Sequence, residues 1–257
     1  MTLDRPSGPA PRTRHFGSGG FDPYEVALTA SHPGLRLVPA GGGPDSRLHA
    51  HIDVARFLAR ADRVDRRILR LTRGSVLDVG SGPGRMVREA TRRGRRSLGI
   101  DVSPAAVEIA RRADLPVIKR SVFEAVPDAG RWDAVLLLDG NIGIGGDPAA
   151  LLARCAELGA TAGAVLVEAH RDVGSDALFE AVVLHPEGGR SDAFPWAHVG
   201  ADAVARYAAQ AGLVVRSRVR RGGRTFLVLA RPPNGSDRSD RSDRPVPLSR
   251  LLLRRGR

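Results

Sequence analysis

The sequence predicts an α/β fold built on a mostly parallel sheet, and three observations carry this prediction. Residues 75–79 form a short apolar run that stops at a glycine-rich turn, 80–84, and a helical pattern follows. A second apolar run, 97–100, stops at Asp101. A third, 133–138, is apolar after its first residue, as the central strand of a parallel sheet should be. Such a sheet binds ligands at the carboxyl ends of its strands.

The glycine-rich turn has Gly80, Gly82 and Gly84 at alternate positions. Glycine suits such a turn because the backbone takes positive φ there and a ligand approaches without meeting a Cβ atom. Backbone N–H groups at the start of the following helix attract negative or polar groups of a ligand. The dinucleotide fingerprint places its third glycine where this chain has Arg85, so the pattern disfavours an NAD(P) oxidoreductase.

Asp78 precedes Gly80 by two positions, and the pattern D-V-G-S-G-P-G resembles motif I of the class I S-adenosylmethionine-dependent methyltransferases. The resemblance covers residues 74–232. It implies a Rossmann-like sheet in the strand order 3-2-1-4-5-7-6, with strand 7 antiparallel. It also implies S-adenosylmethionine as methyl donor, S-adenosylhomocysteine as product and no metal. The turn, including Ser81, would hold the methionine end of the donor, with Asp78 near its ammonium.

The second predicted strand ends at Asp101, about twenty residues after Gly80, the distance expected for an acid that bonds ribose hydroxyls. The resemblance therefore implies cofactor contacts at Asp101 and Val102. A plain turn residue is the alternative interpretation of Asp101. Ser103 and Pro104 supply an N-cap and a first helical position, so a helix should follow.

Residues 116–120 predict a third strand, which leads into Ser121, Val122 and Phe123. Many class I methyltransferases carry an acid at the place of Ser121, where it bonds the adenine amino group. This chain departs from that pattern. We therefore expect the Ser121 hydroxyl or the Val122 N–H to bond adenine, and Val122 or Phe123 to pack on it.

The strand predicted at 133–138 ends at Asp139, Gly140 and Asn141. Because it should lie beside the first strand, these residues are expected to border the cofactor and the transfer site, and Asn141 also the substrate. The segment D-G-N-I-G-I-G-G-D-P resembles one in a group of uncharacterised bacterial methyltransferases. Its glycines at 143, 145 and 146 predict a flexible loop.

The acceptor side of the site is predicted from less specific signals. His170 follows the fifth predicted strand and is the candidate general base, with a hydrogen-bonded structural histidine as an equally favoured alternative. The long connection 171–199 concentrates aromatic residues in an aromatic-poor chain, so Phe194 and Trp196 are expected to cover the substrate. Tyr24 is the further aromatic candidate for the substrate pocket.

The regions outside 74–232 divide into three parts. Residues 1–20 are rich in Pro, Gly, Ser and Arg without periodicity, and 233–257 contain the low-complexity repeat S-D-R-S-D-R-S-D-R, so both segments are predicted to be disordered tails. Residues 21–73 predict a helical extension or cap, including a helix over 51–71 that restarts near Asp62.

The 257 residues carry a net charge of +12, of which 1–73 contribute +5, 74–232 contribute +3 and 233–257 contribute +4. The excess lies mostly at the ends and nearly every basic residue is Arg, so a nucleic-acid partner is disfavoured. The single Cys155 excludes a disulfide within the chain. With no apolar leader and no run of transmembrane length, a cytoplasmic protein is expected.

The leading hypothesis is methyl transfer from S-adenosylmethionine to a small-molecule nucleophile. Two alternatives stay open. One is a protein that binds the cofactor without catalysis, which the Ser121 departure favours. The other is a nucleic-acid methyltransferase tethered by its basic ends. The sequence predicts neither the acceptor nor the oligomeric state.

Overall fold

The computed structural model describes residues 14–16, 22–30, 34–42 and 48–233. The predicted tails, 1–20 and 233–257, lie outside these ranges except for residues 14–16 and 233. Seven α-helices lie within the described ranges: α1 (Pro23–Ala30), α2 (Val54–Leu58), α3 (Arg63–Ile68), α4 (Arg85–Arg92), α5 (Pro104–Arg112), α6 (Pro148–Leu158) and α7 (Ala201–Gln210).

The described residues also form eleven strands. They are β1 (Leu35–Pro39), β2 (Ala50–Ile52), β3 (Val76–Val79), β4 (Ser97–Asp101), β5 (Val117–Lys119), β6 (Trp132–Leu137), β7 (Gly159–Ala169), β8 (Asp176–Leu184), β9 (Phe194–Val199), β10 (Val214–Arg221) and β11 (Arg224–Ala230).

The main sheet has seven strands in the order β5-β4-β3-β6-β7-β11-β10. Pairing is parallel from β5 to β7, and β11 runs antiparallel to both β7 and β10. When only the seven strands of this sheet are numbered along the chain, the order is the predicted 3-2-1-4-5-7-6 with an antiparallel strand 7. The predicted fold class is therefore confirmed. The carboxyl ends of β3, β4, β5 and β6 therefore meet at one edge.

Apolar clusters cover both faces of the main sheet, which explains why β3 and β6 are apolar except at Asp78 and Asp133. On one face Leu77 and Leu137 pack with buried residues of α6 and α7. On the other, Val76 and Leu136 pack with buried residues of α3 and α4. The helix starts follow the predicted chemistry, since Ser103 caps α5 by accepting the N–H of Ala106 at 3.3 Å.

A second, four-stranded antiparallel sheet in the order β2-β1-β8-β9 corrects two predictions. The extension 21–73 is only partly helical, because β1 and β2 join this sheet. The connection 171–199 is not a loop, because it forms β8 and β9. The pairing of β1 with β8 spans a long stretch of sequence, as in Leu37 opposite Val183, so neither of these two strands carries a local signal that would reveal the other.

The second sheet packs directly on the segment that follows β6. This segment, Asn141–Gly146, forms 3-10 turns instead of the predicted flexible loop. A Cβ atom at Gly143 would lie 2.3 Å from the carbonyl oxygen of Ala197, and one at Gly146 would lie 2.9 Å from Pro195. The glycines are therefore required because β9 approaches this backbone closely.

Candidate functional site

One large cavity opens at the carboxyl edge of the main sheet, beneath the second sheet. Its volume is about 1280 Å³, which exceeds the about 300–1,000 Å³ of a usual single-ligand pocket. Most of the predicted site residues line it: Tyr24, Asp78, Gly80, Ser81, Gly82, Asp101, Val102, Ser121, Val122, Asp139, Gly140, Asn141, His170 and Trp196. Gly84 instead packs against Leu115, and Phe194 is fully buried behind the wall.

The glycine-rich turn leaves no room for side chains on its cavity side. Gly80 and Gly82 have φ values of 67° and 52°. A Cβ atom at Gly80 would lie 2.6 Å from the amide nitrogen of Asn141, and one at Gly82 would lie 3.1 Å from the hydroxyl of Tyr24. The turn is therefore left-handed and is closely packed by Tyr24 of α1 and by Asn141, which follows β6.

The N–H groups of the turn are engaged within the protein. Those of Gly80 and Ser81 donate to the carbonyl of Ile100 at 2.9 and 3.1 Å, and that of Gly82 donates to Asp101 at 2.7 Å. These three N–H groups are therefore already paired within the protein. The turn contributes its shape to ligand binding, and the N-terminus of α4 contributes its attraction for negative groups.

Asp78 is buried on β3 and lines the cavity. No hydrogen bond to its side chain is found among the described residues. Burial raises its pKa to about 7, against the attraction of Arg85. Such a carboxylate is costly to ionise until a cation reaches it, which matches the predicted place for an ammonium.

Asp101 ends β4 and has a structural role beside its predicted ligand role. Its carboxylate accepts the N–H of Gly82 at 2.7 Å and that of Ser103 at 2.9 Å. Burial raises its pKa, although these backbone N–H groups oppose the rise. The side chain thus links the glycine-rich turn to the start of α5, and also lines the cavity.

The end of β5 supplies an acid that the sequence pattern did not reveal. Glu124 accepts the backbone N–H of Ser121 at 2.8 Å, and the Ser121 hydroxyl accepts that of Phe123 at 3.3 Å. Glu124 lines the cavity with Ser121 and the half-exposed Phe123. A carboxylate is therefore present at this edge of the sheet although position 121 lacks one.

Asp139 and Asn141 take fixed positions after β6. Asp139 has a φ of 55°, in the left-handed region that non-glycine residues rarely occupy. The amide nitrogen of Asn141 donates to the carbonyls of Val79 and Gly80 at 2.9 and 2.8 Å. This bond ties the segment after β6 to the end of β3.

Asp139 belongs to a charged cluster that the sequence analysis did not foresee. The cluster is defined by seven side chains: Arg56, Asp62, Asp65, Arg85, Asp139, Glu168 and Arg224. It joins α2 and α3 of the extension to α4, β7 and β11 of the main sheet.

Each of the three arginines of the charged cluster bridges Asp65 and Asp139. Arg56 reaches them at 2.8 and 3.3 Å, and Arg224 at 2.9 and 3.5 Å. Arg85 contacts both carboxylates as well. Asp65 is fully buried, and although burial alone would raise its pKa, the arginines hold the pKa of Asp65 well below its usual range.

Aromatic side chains form the wall that faces the glycine-rich turn. Phe16 packs on Tyr24, Phe194 and Trp196 with ring centroids 5.3, 5.5 and 5.9 Å away. Phe57 of α2 lies 6.4 Å from Tyr24. The wall combines the N-terminal region with β9, so the prediction that Tyr24 and Trp196 share one pocket agrees with this geometry.

His170 stacks on His198, with ring centroids 4.8 Å apart and an interplanar angle of 17°. Burial lowers the pKa of His170, and burial together with His170 and His49 lowers that of His198 to about 4. Nδ1 of His170 accepts the N–H of Asp172 at 3.2 Å, so Nε2 carries the proton of the neutral ring. Both rings are neutral at pH 7, and His170 offers a donor at Nε2.

A family model described as a methyltransferase domain matches residues 52–218. The chain belongs to this methyltransferase family. The predicted class I S-adenosylmethionine-dependent methyltransferase is thereby confirmed as to family and enzyme class. The match includes β3 with its glycine-rich turn, β6 with Asp139, and strands β8 and β9 of the second sheet. No curated protein sequence matches the chain.

Solved structures of methyltransferases share the fold. A S-adenosylmethionine-dependent methyltransferase from Bacteroides fragilis, in complex with S-adenosyl-L-homocysteine, is 20% identical and aligns with a TM-score of 0.62 over 80% of this chain and 92% of its own. The CcbJ methyltransferase from Streptomyces caelestis is 16% identical, with a TM-score of 0.51 over 68% and 92%. The sugar N-methyltransferase KedS8 from a Streptoalloteichus species is 19% identical, with a TM-score of 0.51 over 68% and 87%.

A membrane-spanning helix and a metal site are both absent from the part of the methyltransferase that the structure describes. No helix there has the length and apolar character needed to cross a membrane. Within the same ranges, no group of three or more His, Cys, Asp or Glu side chains is arranged to hold a metal ion.

Proposed function

We propose that this methyltransferase transfers the methyl group of S-adenosylmethionine to a small-molecule nucleophile bound beneath the second sheet. The observation that carries the proposal is the continuity of the cavity. A single space of about 1280 Å³ runs from the glycine-rich turn to the aromatic wall and His170, and it is larger than one ligand usually needs. It therefore has room for donor and acceptor together.

The residues present fit the donor. Asp78 is a buried carboxyl group that a bound cation would stabilise, and Asp101 ends the next strand. At Gly80 a Cβ atom would collide with Asn141, so the backbone of the turn is open to a ligand only because this residue is glycine. We assign the methionine ammonium to Asp78, the ribose to Asp101 and the adenine to residues 121–124. Once bound, S-adenosylmethionine supplies a methyl group already activated by its positive sulfur.

The protein's contribution is alignment and exclusion of water. Asp139 is engaged by three arginines and Asn141 by two carbonyls, so both serve as fixed walls beside the donor. Trp196 and Tyr24 close the opposite side. His170 is a candidate for transferring a proton. Because Nε2 of its neutral ring already carries a proton, the ring is better suited to donating a hydrogen bond that orients the acceptor.

Replacing Asp101 with Ala should weaken binding of S-adenosylmethionine about 10- to 100-fold, since hydrogen bonds to a charged group contribute about 1.5–3 kcal/mol. The protein should still unfold cooperatively, because the substitution also removes the acceptor for only two backbone N–H groups. Calorimetric titration and thermal melting measure the two effects. Asp202→Ala, on the exposed start of α7, is the matched control and should leave the dissociation constant unchanged.

Catalysis itself is tested by release of S-adenosylhomocysteine. The purified protein is incubated with S-adenosylmethionine and a panel of small nucleophiles, and product is measured against a reaction without acceptor. Acceptor-dependent product that falls with Trp196→Ala supports the proposal. Tight donor binding with no turnover on any acceptor would instead favour a protein that binds the cofactor without catalysis.

A further inference from the structure

The cavity collects most of the aromatic side chains of a chain that has few of them. The sequence contains seven Phe, two Trp and two Tyr. Two of the phenylalanines, Phe179 and Phe194, pack on rings of β9 at the back of the aromatic wall. The two clusters that cover the main sheet contain one buried aromatic ring each, Trp132 and Phe226. Five aromatic side chains line the cavity itself: Phe16, Tyr24, Phe57, Phe123 and Trp196.

Strand β9 arranges its rings in a row. Phe194, Trp196 and His198 occupy alternate positions, so their side chains lie on the same face of the second sheet. Trp196 and His198 of this row line the cavity. His170 stacks on His198 with ring centroids 4.8 Å apart and lengthens the row. A flat ligand bound along β9 would therefore meet ring faces and ring edges over its whole length.

Two rings of the aromatic wall carry a polar group that the protein leaves unpaired. Tyr24 and Trp196 are buried and line the cavity, yet neither the Tyr24 hydroxyl nor the Trp196 indole N–H forms a hydrogen bond within residues 14–16, 22–30, 34–42 and 48–233. A buried Tyr or Trp normally has such a partner. Phe or Leu would serve at both positions if the wall were only a packed core. Both polar groups are therefore available to ligands.

The two polar groups lie at different parts of the cavity. The Tyr24 hydroxyl would lie 3.1 Å from a Cβ atom at Gly82, so it faces the turn where the donor is assigned. Nε1 of Trp196 would lie 2.8 Å from a Cβ atom at Gly143, so it lies beside the segment that starts at Asn141. The adenine is assigned to the end of β5, which β4 and β3 separate from that segment. Trp196 is therefore left for the acceptor.

From this concentration of rings and the unpaired indole N–H, we infer that the methyl acceptor is a planar aromatic molecule with an oxygen substituent. This inference rests on the proposed function and names the acceptor class for that same site. The ring of the acceptor packs against Trp196 in an offset or edge-to-face contact, the arrangements that aromatic pairs prefer. The oxygen substituent accepts the hydrogen bond of the indole N–H.

The binding test compares 2-naphthol with its saturated analogue decahydro-2-naphthol, each titrated into the protein saturated with S-adenosylhomocysteine. The aromatic probe is expected to bind at least about fivefold more tightly, because contacts between rings add to the gain from buried area. The saturated probe is apolar and of similar size, so a pocket that selects only by hydrophobicity would not reject it. Equal affinities, tighter binding of the saturated probe, or binding of neither would overturn the inference.

Three variants separate the indole ring from its N–H group and from general damage. Trp196→Phe keeps a ring and removes the N–H, so both probes should bind about two- to tenfold more weakly while the aromatic preference persists. Trp196→Leu also removes the ring, so the preference should disappear. Tyr207→Leu changes an aromatic residue of α7 that does not line the cavity, and it should alter neither affinity. A preference that survives Trp196→Leu, or unchanged affinities in Trp196→Phe, would overturn the assignment of Trp196.

The donor provides a check on which ligand the indole contacts. S-adenosylmethionine and S-adenosylhomocysteine differ by the methyl group and the positive charge on sulfur. Trp196→Leu should leave the ratio of their dissociation constants unchanged, because the indole packs on the acceptor. A selective loss of S-adenosylmethionine would mean that the ring attracts the positive sulfur instead, and it would overturn the assignment of Trp196 to the acceptor.

Turnover gives an independent readout of the acceptor class. Aromatic alcohols, amines and thiols are compared with their saturated counterparts by release of S-adenosylhomocysteine. Turnover confined to the aromatic set supports the inference, whereas equal turnover of a saturated acceptor overturns it. Binding of S-adenosylmethionine is measured in the same preparation. Its absence would refute the proposed function, while its presence with turnover of saturated acceptors would refute only the aromatic class.

Discussion

Asp65→Asn is expected to lower the free energy of unfolding by about 3–5 kcal/mol, the usual cost of removing one partner from a buried ion pair. Asp65 is fully buried and accepts hydrogen bonds from three arginines, which reach it from α2, α4 and β11. An amide in its place removes, at a fully buried position, the negative charge that the three guanidiniums share. Denaturant unfolding followed by circular dichroism measures the change.

The control for this prediction is an exposed carboxylate that also pairs with arginines. Glu108 of α5 contacts Arg111 and Arg112 at 2.8 and 2.9 Å on the protein surface. Glu108→Gln should leave the free energy of unfolding nearly unchanged, because exposed ion pairs contribute little. If Asp65→Asn costs no more than Glu108→Gln, the charged cluster does not hold the extension to the main sheet.

Asp78→Asn is expected to stabilise the free protein at pH 8 while weakening binding of S-adenosylmethionine about 10- to 100-fold. The pKa of Asp78 is raised to about 7 in the folded state from an ordinary value of 3.8, so ionisation at pH 8 costs about 4 kcal/mol. An unpartnered amide at the same place costs only about 1–3 kcal/mol. The carboxylate is therefore retained at a cost in stability, which fits a group reserved for a ligand.

The pH dependence gives this prediction its own control. Because the pKa of Asp78 is raised in the folded state, the folded protein binds its proton more tightly than the unfolded chain does. The free-energy cost of the ionised carboxylate therefore grows as the pH rises from about 4 towards 7. The stability difference between Asp78→Asn and the native protein should therefore shrink by about 2–3 kcal/mol between pH 8 and pH 5. Thermal melting at both pH values measures it. A difference independent of pH, or unchanged donor affinity, would contradict the assignment of Asp78.

Sequence alone predicted the parts of the fold that local patterns encode. The strand and turn at Asp78–Gly84, the strand end at Asp101 and the buried strand before Asp139 each combine hydrophobic periodicity with a specific stop signal. Those signals placed β3, β4 and β6 and most of the predicted cofactor residues at one edge of the sheet.

The second sheet was missed in part because β1 and β8, which join its two halves, pair across more than a hundred residues. Arg36 lies opposite Leu184, and nothing local in either segment reports the other. Trp196 of the region 171–199 lines the cavity and Phe194 does not, and the strands of this region were taken for a connection.

The charged cluster was missed for a related reason. Its members lie far apart in the sequence, and arginine is so frequent in this chain that Arg56, Arg85 and Arg224 carry no distinctive signal. The nearest available hint was the helix restart near Asp62, which the structure contains as a capping box between Asp62 and Asp65. That box orients Asp65 towards the arginines.

Calorimetric titration with S-adenosylmethionine, S-adenosylhomocysteine and NADH tests the central claim most directly. Both adenosyl ligands are expected to bind in the micromolar range, about −8 kcal/mol, and NADH is expected to give no heat of binding. Binding of NADH, or no binding of either adenosyl ligand by the folded protein, would contradict it.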